Sequence, residues 1–176
     1  MVDTWTFDRV LHWLLFLALG LFVLMLNVLP LGSGAPGWPA PEFLLVLAAG
    51  WVIRHPEFLP LPLFAVLAIL ADFLLMRPPG LYALLSVLMI EFLRSRAHAS
   101  REWPFLLEWA IFAVLLFGIL LTNRLYHFVF VIQQARFGLE MQQFLSSVLA
   151  YPLVVGLSVW LFGLARPKPG DAGGRQ

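Results

Sequence analysis

Residues 10–29 read VLHWLLFLALGLFVLMLNVL, and neither they nor the twelve residues after them contain Asp, Glu, Lys or Arg, so 32 uncharged positions separate Arg9 from Glu42. A helix of about 20 apolar residues crosses a hydrocarbon core of ~30 Å. Inside that core every backbone N–H and C=O needs an internal partner, so the run reads as a transmembrane helix. Its length, and Asp3 and Asp8 offsetting Arg9 ahead of it, argue against a cleaved leader, although Gly32, Ser33, Gly34 and Ala35 follow. The whole composition agrees. The 176 residues are 61% hydrophobic and 12% charged, against about 25% charged in soluble domains. A net charge of +1 offers no basic face for nucleic acid. The absence of cysteine excludes disulfides, thiolate metal sites and a Cys nucleophile.

Further apolar runs at 38–53, 61–76, 81–93, 103–123 and 141–165 predict an all-α integral membrane protein, a single six-helix bundle over 1–165 with a disordered cytoplasmic tail at 166–176. Leu31 to Pro41 holds three prolines and three glycines and reads as a loop. The second segment is the shortest. Its apolar part, Phe43 to Ile53, reaches about half the core at 1.5 Å per residue, so it starts as early as Trp38 or is re-entrant. Arg77-Pro78-Pro79-Gly80 is a tight turn, and the fifth helix is expected to continue amphipathically to Gln134, closed by Gly138. Segments two to four are short and one, five and six long, which suggests tilted long helices around shorter ones. With six spans the termini share a side. That side holds Arg9, Arg54, Arg94, Arg96, Arg101, Arg166, Lys168 and Arg175, against Arg77, Arg124 and Arg136 opposite, which places both termini in the cytoplasm.

Ionisable residues inside apolar runs are expensive, about 2.5–3.5 kcal/mol at mid-bilayer, and therefore singled out. Asp72 shares a helix face with Ala65 and Ala68, so it should face another helix. It reads as an ion or substrate ligand or, preferred, as a helix-terminus group bonding the Arg77–Gly80 turn. Glu91 is three residues from Arg94 and is expected to pair with it. Glu108 has no basic residue three or four positions away, which leaves two readings: a contact to a partner or second helix, and an interfacial carboxylate. Gly156 and Gly163 are seven residues apart on one helical face, with Pro152 four residues earlier expected to kink the helix. This notch suits internal packing by default, or a partner's transmembrane helix. His12, His55, His98 and His127 lack metal-site spacing, and His12 beside Trp13 and Arg9 fits an interfacial belt. No serine has a Gly-x-Ser-x-Gly context, and neither His-Glu-x-x-His nor a phosphate loop occurs. No catalytic residue, cofactor or metal is expected.

Three stretches resemble a known family. FAVLAILADFLLMRPPGLYALLSVLMIEFLR, with Asp72 preceding the turn Gly80, PEFLLVLAAGWVIRHPEFLP, and FLSSVLAYPLVVGLSVWLF, with its Tyr151–Pro152 pair, together resemble the rod shape-determining protein MreD family over residues 41–165. The resemblance implies a non-enzymatic inner-membrane scaffold of bacterial elongation. Such a scaffold binds MreC and, through it, the MreB filament, RodA and the elongation-specific penicillin-binding transpeptidase. It also implies a fold similar to the substrate-binding subunits (S-components) of energy-coupling-factor transporters, and it carries over Asp72, Gly80 and Pro152 only. The alternative is a small-molecule-binding transporter subunit, with Trp38, Asp72, Asn123 or Arg124 facing an outer pocket. The outer loops are poor in polar groups, which favours the scaffold.

Overall fold

A computed structural model describes residues 4–29, 39–97, 104–130 and 136–162. Trp38, Gly163 and the tail at 166–176 lie outside them. Six helices make up the described chain: α1 (Thr4–Val28), α2 (Phe43–Arg54), α3 (Leu61–Leu74), α4 (Leu81–Arg96), α5 (Phe105–Val129) and α6 (Phe137–Phe162). Three of them, over Arg9–Val28, Phe105–Val129 and Phe137–Trp160, are long and apolar enough to cross a membrane. The chain is a membrane protein on that evidence. The second long helix ends earlier than its pattern suggests, at Val129. Gly138 does not close it but lies in the first turn of α6, whose Leu139 and Glu140 amides already bond the Arg136 carbonyl.

The shortest helix is the centre of the bundle. Every residue of α2 from Leu44 to Arg54 is buried, as expected of a helix that is apolar all round. Its 12 residues rise only about 18 Å, and α1, α4 and α6 pack around it. Close approach to α6 depends on Gly50. A Cβ at Gly50 would stand 3.1 Å from Val155 Cγ2, and one at Gly20 on α1 would stand 2.7 Å from Leu67 Cδ1 on α3. Small residues therefore set helix spacing at Gly20 and Gly50. Gly156, expected by default to pack internally, faces outward with nothing within 4 Å of where its Cβ would be. The reason is the rotation of α6, which turns Tyr151, Val155 and Ser158 toward the core.

Helix α6 runs on through Pro152. Proline has no N–H for the carbonyl four residues back, that of Val148. The Trp109 indole of α5 donates to that carbonyl at 2.8 Å, so the group that proline leaves open is closed by a neighbouring helix. Serines join α6 to α2 at two further levels: the Glu42 amide donates to Ser147 Oγ at 2.9 Å, and Trp51 Nε1 to Ser158 Oγ at 3.3 Å.

Candidate functional site

Helix α3 ends in a Schellman motif with Met76, not glycine, in the left-handed position at φ 53°. The Arg77 amide bonds the Asp72 carbonyl at 3.0 Å and the Met76 amide bonds Phe73 at 3.4 Å. Two prolines follow, and Gly80, at φ 90°, begins α4 in a conformation that glycine adopts without strain. The Asp72 side chain closes the hairpin. Its Oδ2 accepts from the Gly80 amide at 2.9 Å and the Ala83 amide at 3.1 Å, the N-cap and third residue of α4, where backbone donors have no partner within the helix. Asp72 is fully buried, and its Oδ1 has no partner among the described residues. It does not line the cavity found at this end of the bundle.

Glu108 takes part in a second buried polar cluster at the opposite end of the bundle. Arg54 Nη1 donates to Glu108 Oε1 at 2.9 Å and to the Gly50 carbonyl at 3.0 Å, and the Tyr151 hydroxyl also donates to Glu108 Oε1. Arg54 and Glu108 are 6% and 1% exposed, so this carboxylate contacts other helices and not the interface. The Tyr151 ring stacks on Phe112 with centroids 4.4 Å apart. Arg94 does not pair with Glu91. Its Nη2 reaches the loop before α3 instead, donating to the carbonyls of Pro56, at 2.7 Å, and Leu59. On the same side His12 stacks on Phe58 at 4.0 Å, and Trp13 Nε1 donates to the Glu57 carbonyl at 3.1 Å, so α1 docks on that loop.

The end that holds the Asp72 turn also holds a cavity of about 310 Å³. Leu116, Ile119, Leu120 and Phe144 give it an apolar wall, and Glu42, Arg77, Tyr82, Asn123, His127, Glu140, Gln143 and Ser147 its polar lining. The polar side chains are ordered by one another. Glu42 Oε1 accepts from Arg77 Nη2 at 2.6 Å and from Gln143 Nε2 at 2.7 Å, while Arg124 Nη1 donates to Glu140 Oε2 at 2.7 Å. Arg77 lies 4.4 Å over the Tyr82 ring. Burial alone would push the Arg77 guanidinium down, but the Glu42 carboxylate outweighs it and holds the group above its ordinary value, fully charged.

Of the singled-out residues, Asp72 and Gly80 meet each other, Glu108 meets Arg54, Pro152 follows Tyr151 of that second cluster, and Gly156 faces outward on α6. Asn123 lines the cavity and Arg124 supports it through Glu140. The sequence reading passed over Glu42, Arg77, Glu140, Gln143 and Ser147. The one local signal for them was a carboxylate immediately ahead of a fully apolar helix, at Glu42. No group of three or more His, Asp or Glu suited to a metal occurs among the described residues. In comparisons with family models, curated proteins and solved structures, nothing matches this chain.

Proposed function

We propose that the chain is a non-enzymatic, six-span membrane scaffold of the MreD kind, both termini cytoplasmic, in the bacterial inner membrane. It would hold MreC and, through it, MreB, RodA and the elongation-specific transpeptidase. The carrying observation is where Asp72 goes. The resemblance rests on Asp72 and Gly80, and these two are bonded to each other in a hairpin lock. A membrane carboxylate used for chemistry or ion passage would face a cavity or water path; this one is spent on backbone amides. A bundle similar to S-components accords with three long helices around short ones. The open surface at Gly156 supports an outward docking face on α6.

The test is affinity purification of the intact protein from its native membrane in mild detergent, with mass spectrometry of what co-elutes. Recovery of a bitopic coiled-coil protein with cell-wall synthases is expected. Recovery of ATPase subunits would overturn the scaffold in favour of a transporter subunit. That second reading has one specific observation behind it, the polar cavity beside Asn123.

A further inference from the structure

The cavity at the Asp72 end has more built into it than a packing gap needs. Each of its acids is already matched: Glu42 by Arg77 and Glu140 by Arg124. A ligand carrying net charge would therefore lose its hydration without meeting a free counter-charge. What the lining leaves unspent is hydrogen-bonding capacity. The Asn123 side-chain amide takes no bond among the described residues, although it lines the cavity. Gln143 donates its Nε2 to a carboxylate that only accepts, which fixes the amide orientation and leaves Oε1 as a free acceptor. His127 Nδ1 lies 2.7 Å from the Asn123 carbonyl, an acceptor, so in the neutral ring Nδ1 carries the proton and Nε2 is the acceptor.

Two acceptors and one amide with both functions thus line the same cavity as the apolar residues of α5 and α6, in a volume of about 310 Å³, at the lower end of the roughly 300–1,000 Å³ of ligand pockets. We propose that this cavity binds a net-uncharged small molecule with an apolar, single-ring-sized body and a primary-amide-like edge. The ligand's N–H groups are donated to Gln143 Oε1 and His127 Nε2, and its carbonyl accepts from the Asn123 amide. The body rests on Leu116, Ile119 and Phe144. The inference is independent of whether the protein acts as scaffold or transporter subunit.

The chain contains no cysteine, so Leu120→Cys places one thiol in the cavity of the full-length protein in lipid vesicles while leaving the three polar groups in place. Its modification is followed with methyl methanethiosulfonate and with the trimethylammonium-ethyl and sulfonatoethyl analogues, each normalised to its rate with a free thiol. The uncharged reagent is expected to react at least about tenfold faster than either charged one, because only the latter lose hydration without compensation. Millimolar benzamide, the range fitting a single-ring fragment, should slow that reaction several-fold, while the isosteric benzoate and the similarly sized benzylammonium do not. Adding Asn123→Leu should abolish the protection by benzamide. Equal rates for the charged reagents, protection by benzoate or benzylammonium as strong as by benzamide, or no protection by benzamide would each overturn the proposal. Unfolding of the unmodified chain gives a second readout: benzamide raises its midpoint and the two ions do not, and the reverse order refutes the assignment.

Discussion

Replacing Asp72 separates a lock from a ligand site. The wild-type carboxylate serves two amides, one fully buried at Ala83 and one partly buried at Gly80. Asp72→Leu keeps the side chain's size and removes the acceptor. A buried donor left without a partner costs about 1–3 kcal/mol, so two cost about 2–6. Gly80 is exposed and its amide regains solvent, which brings the expected loss to about 3 kcal/mol. Asp72→Asn keeps an acceptor oxygen at the same place. It exchanges two charge-assisted bonds for neutral ones, a loss of about 1 kcal/mol each, and is relieved of burying a charge whose Oδ1 lacks a partner. The net expected loss is about 1 kcal/mol or less. Equilibrium unfolding in mixed micelles, followed by tryptophan fluorescence, measures both. Asn as damaging as Leu would show that the charge itself is required and refute the capping argument; Leu within about 0.5 kcal/mol of wild type would refute it from the other side.

Gly156→Leu should change stability by no more than about 0.5 kcal/mol, since open space receives the side chain, while Gly20→Leu should cost about 1–3 kcal/mol or more by driving α1 off Leu67; equal losses in thermal unfolding would contradict the rotation of α6 described above. Trp109→Phe should cost about 1–3 kcal/mol by stranding the Val148 carbonyl, and much less in a Pro152→Leu background, where the helix supplies its own donor; additivity across this double-mutant cycle would disprove the compensation. At the α2–α3 loop, the hydrogen bond from His55 is the chief influence holding the Glu57 carboxyl below its ordinary 4.5, with burial opposing it. Because the folded value is the lower one, this contribution is complete above the ordinary value and fades as pH falls through the folded one. The pair is exposed, so a Glu57→Gln stability difference of only about 0.2–1 kcal/mol at neutral pH is expected, vanishing in acid; its persistence there would refute the assignment.

The helices were legible because each apolar run is bounded by proline, glycine or arginine, and the hairpin because Asp72 and Gly80 are only eight residues apart. Local signals carry local structure. The pairs Arg54–Glu108 and Glu42–Gln143 are 54 and 101 residues apart, and no spacing rule joins them; packing of α6 against both α2 and α5 does. For the same reason Arg94 was assigned to Glu91 one turn away when the loop carbonyls before α3 held it. Seven-residue spacing put Gly156 and Gly163 on one face but did not say which way that face points. The glycines that set helix spacing, Gly20 and Gly50, stand alone in their helices and leave no pattern. Trp109 closes a vacancy that proline creates on another helix, a relation visible only once α5 and α6 are side by side.

The lock and the cavity are parts of one construction. Between Asp72 and the two amides it holds lie Met76, Arg77, Pro78 and Tyr82, and all four line the cavity. The turn that Asp72 closes fixes where Arg77 emerges, Arg77 fixes Glu42, and Glu42 aligns Gln143 while its own amide bonds Ser147. A carboxylate that never touches the cavity therefore sets the position of its polar lining. It follows that a structural role for Asp72 and a binding role for the cavity are not rivals. A tightly capped hairpin is what allows Glu42 at the head of α2 and the side chains of α5 and α6 to hold fixed hydrogen-bond directions.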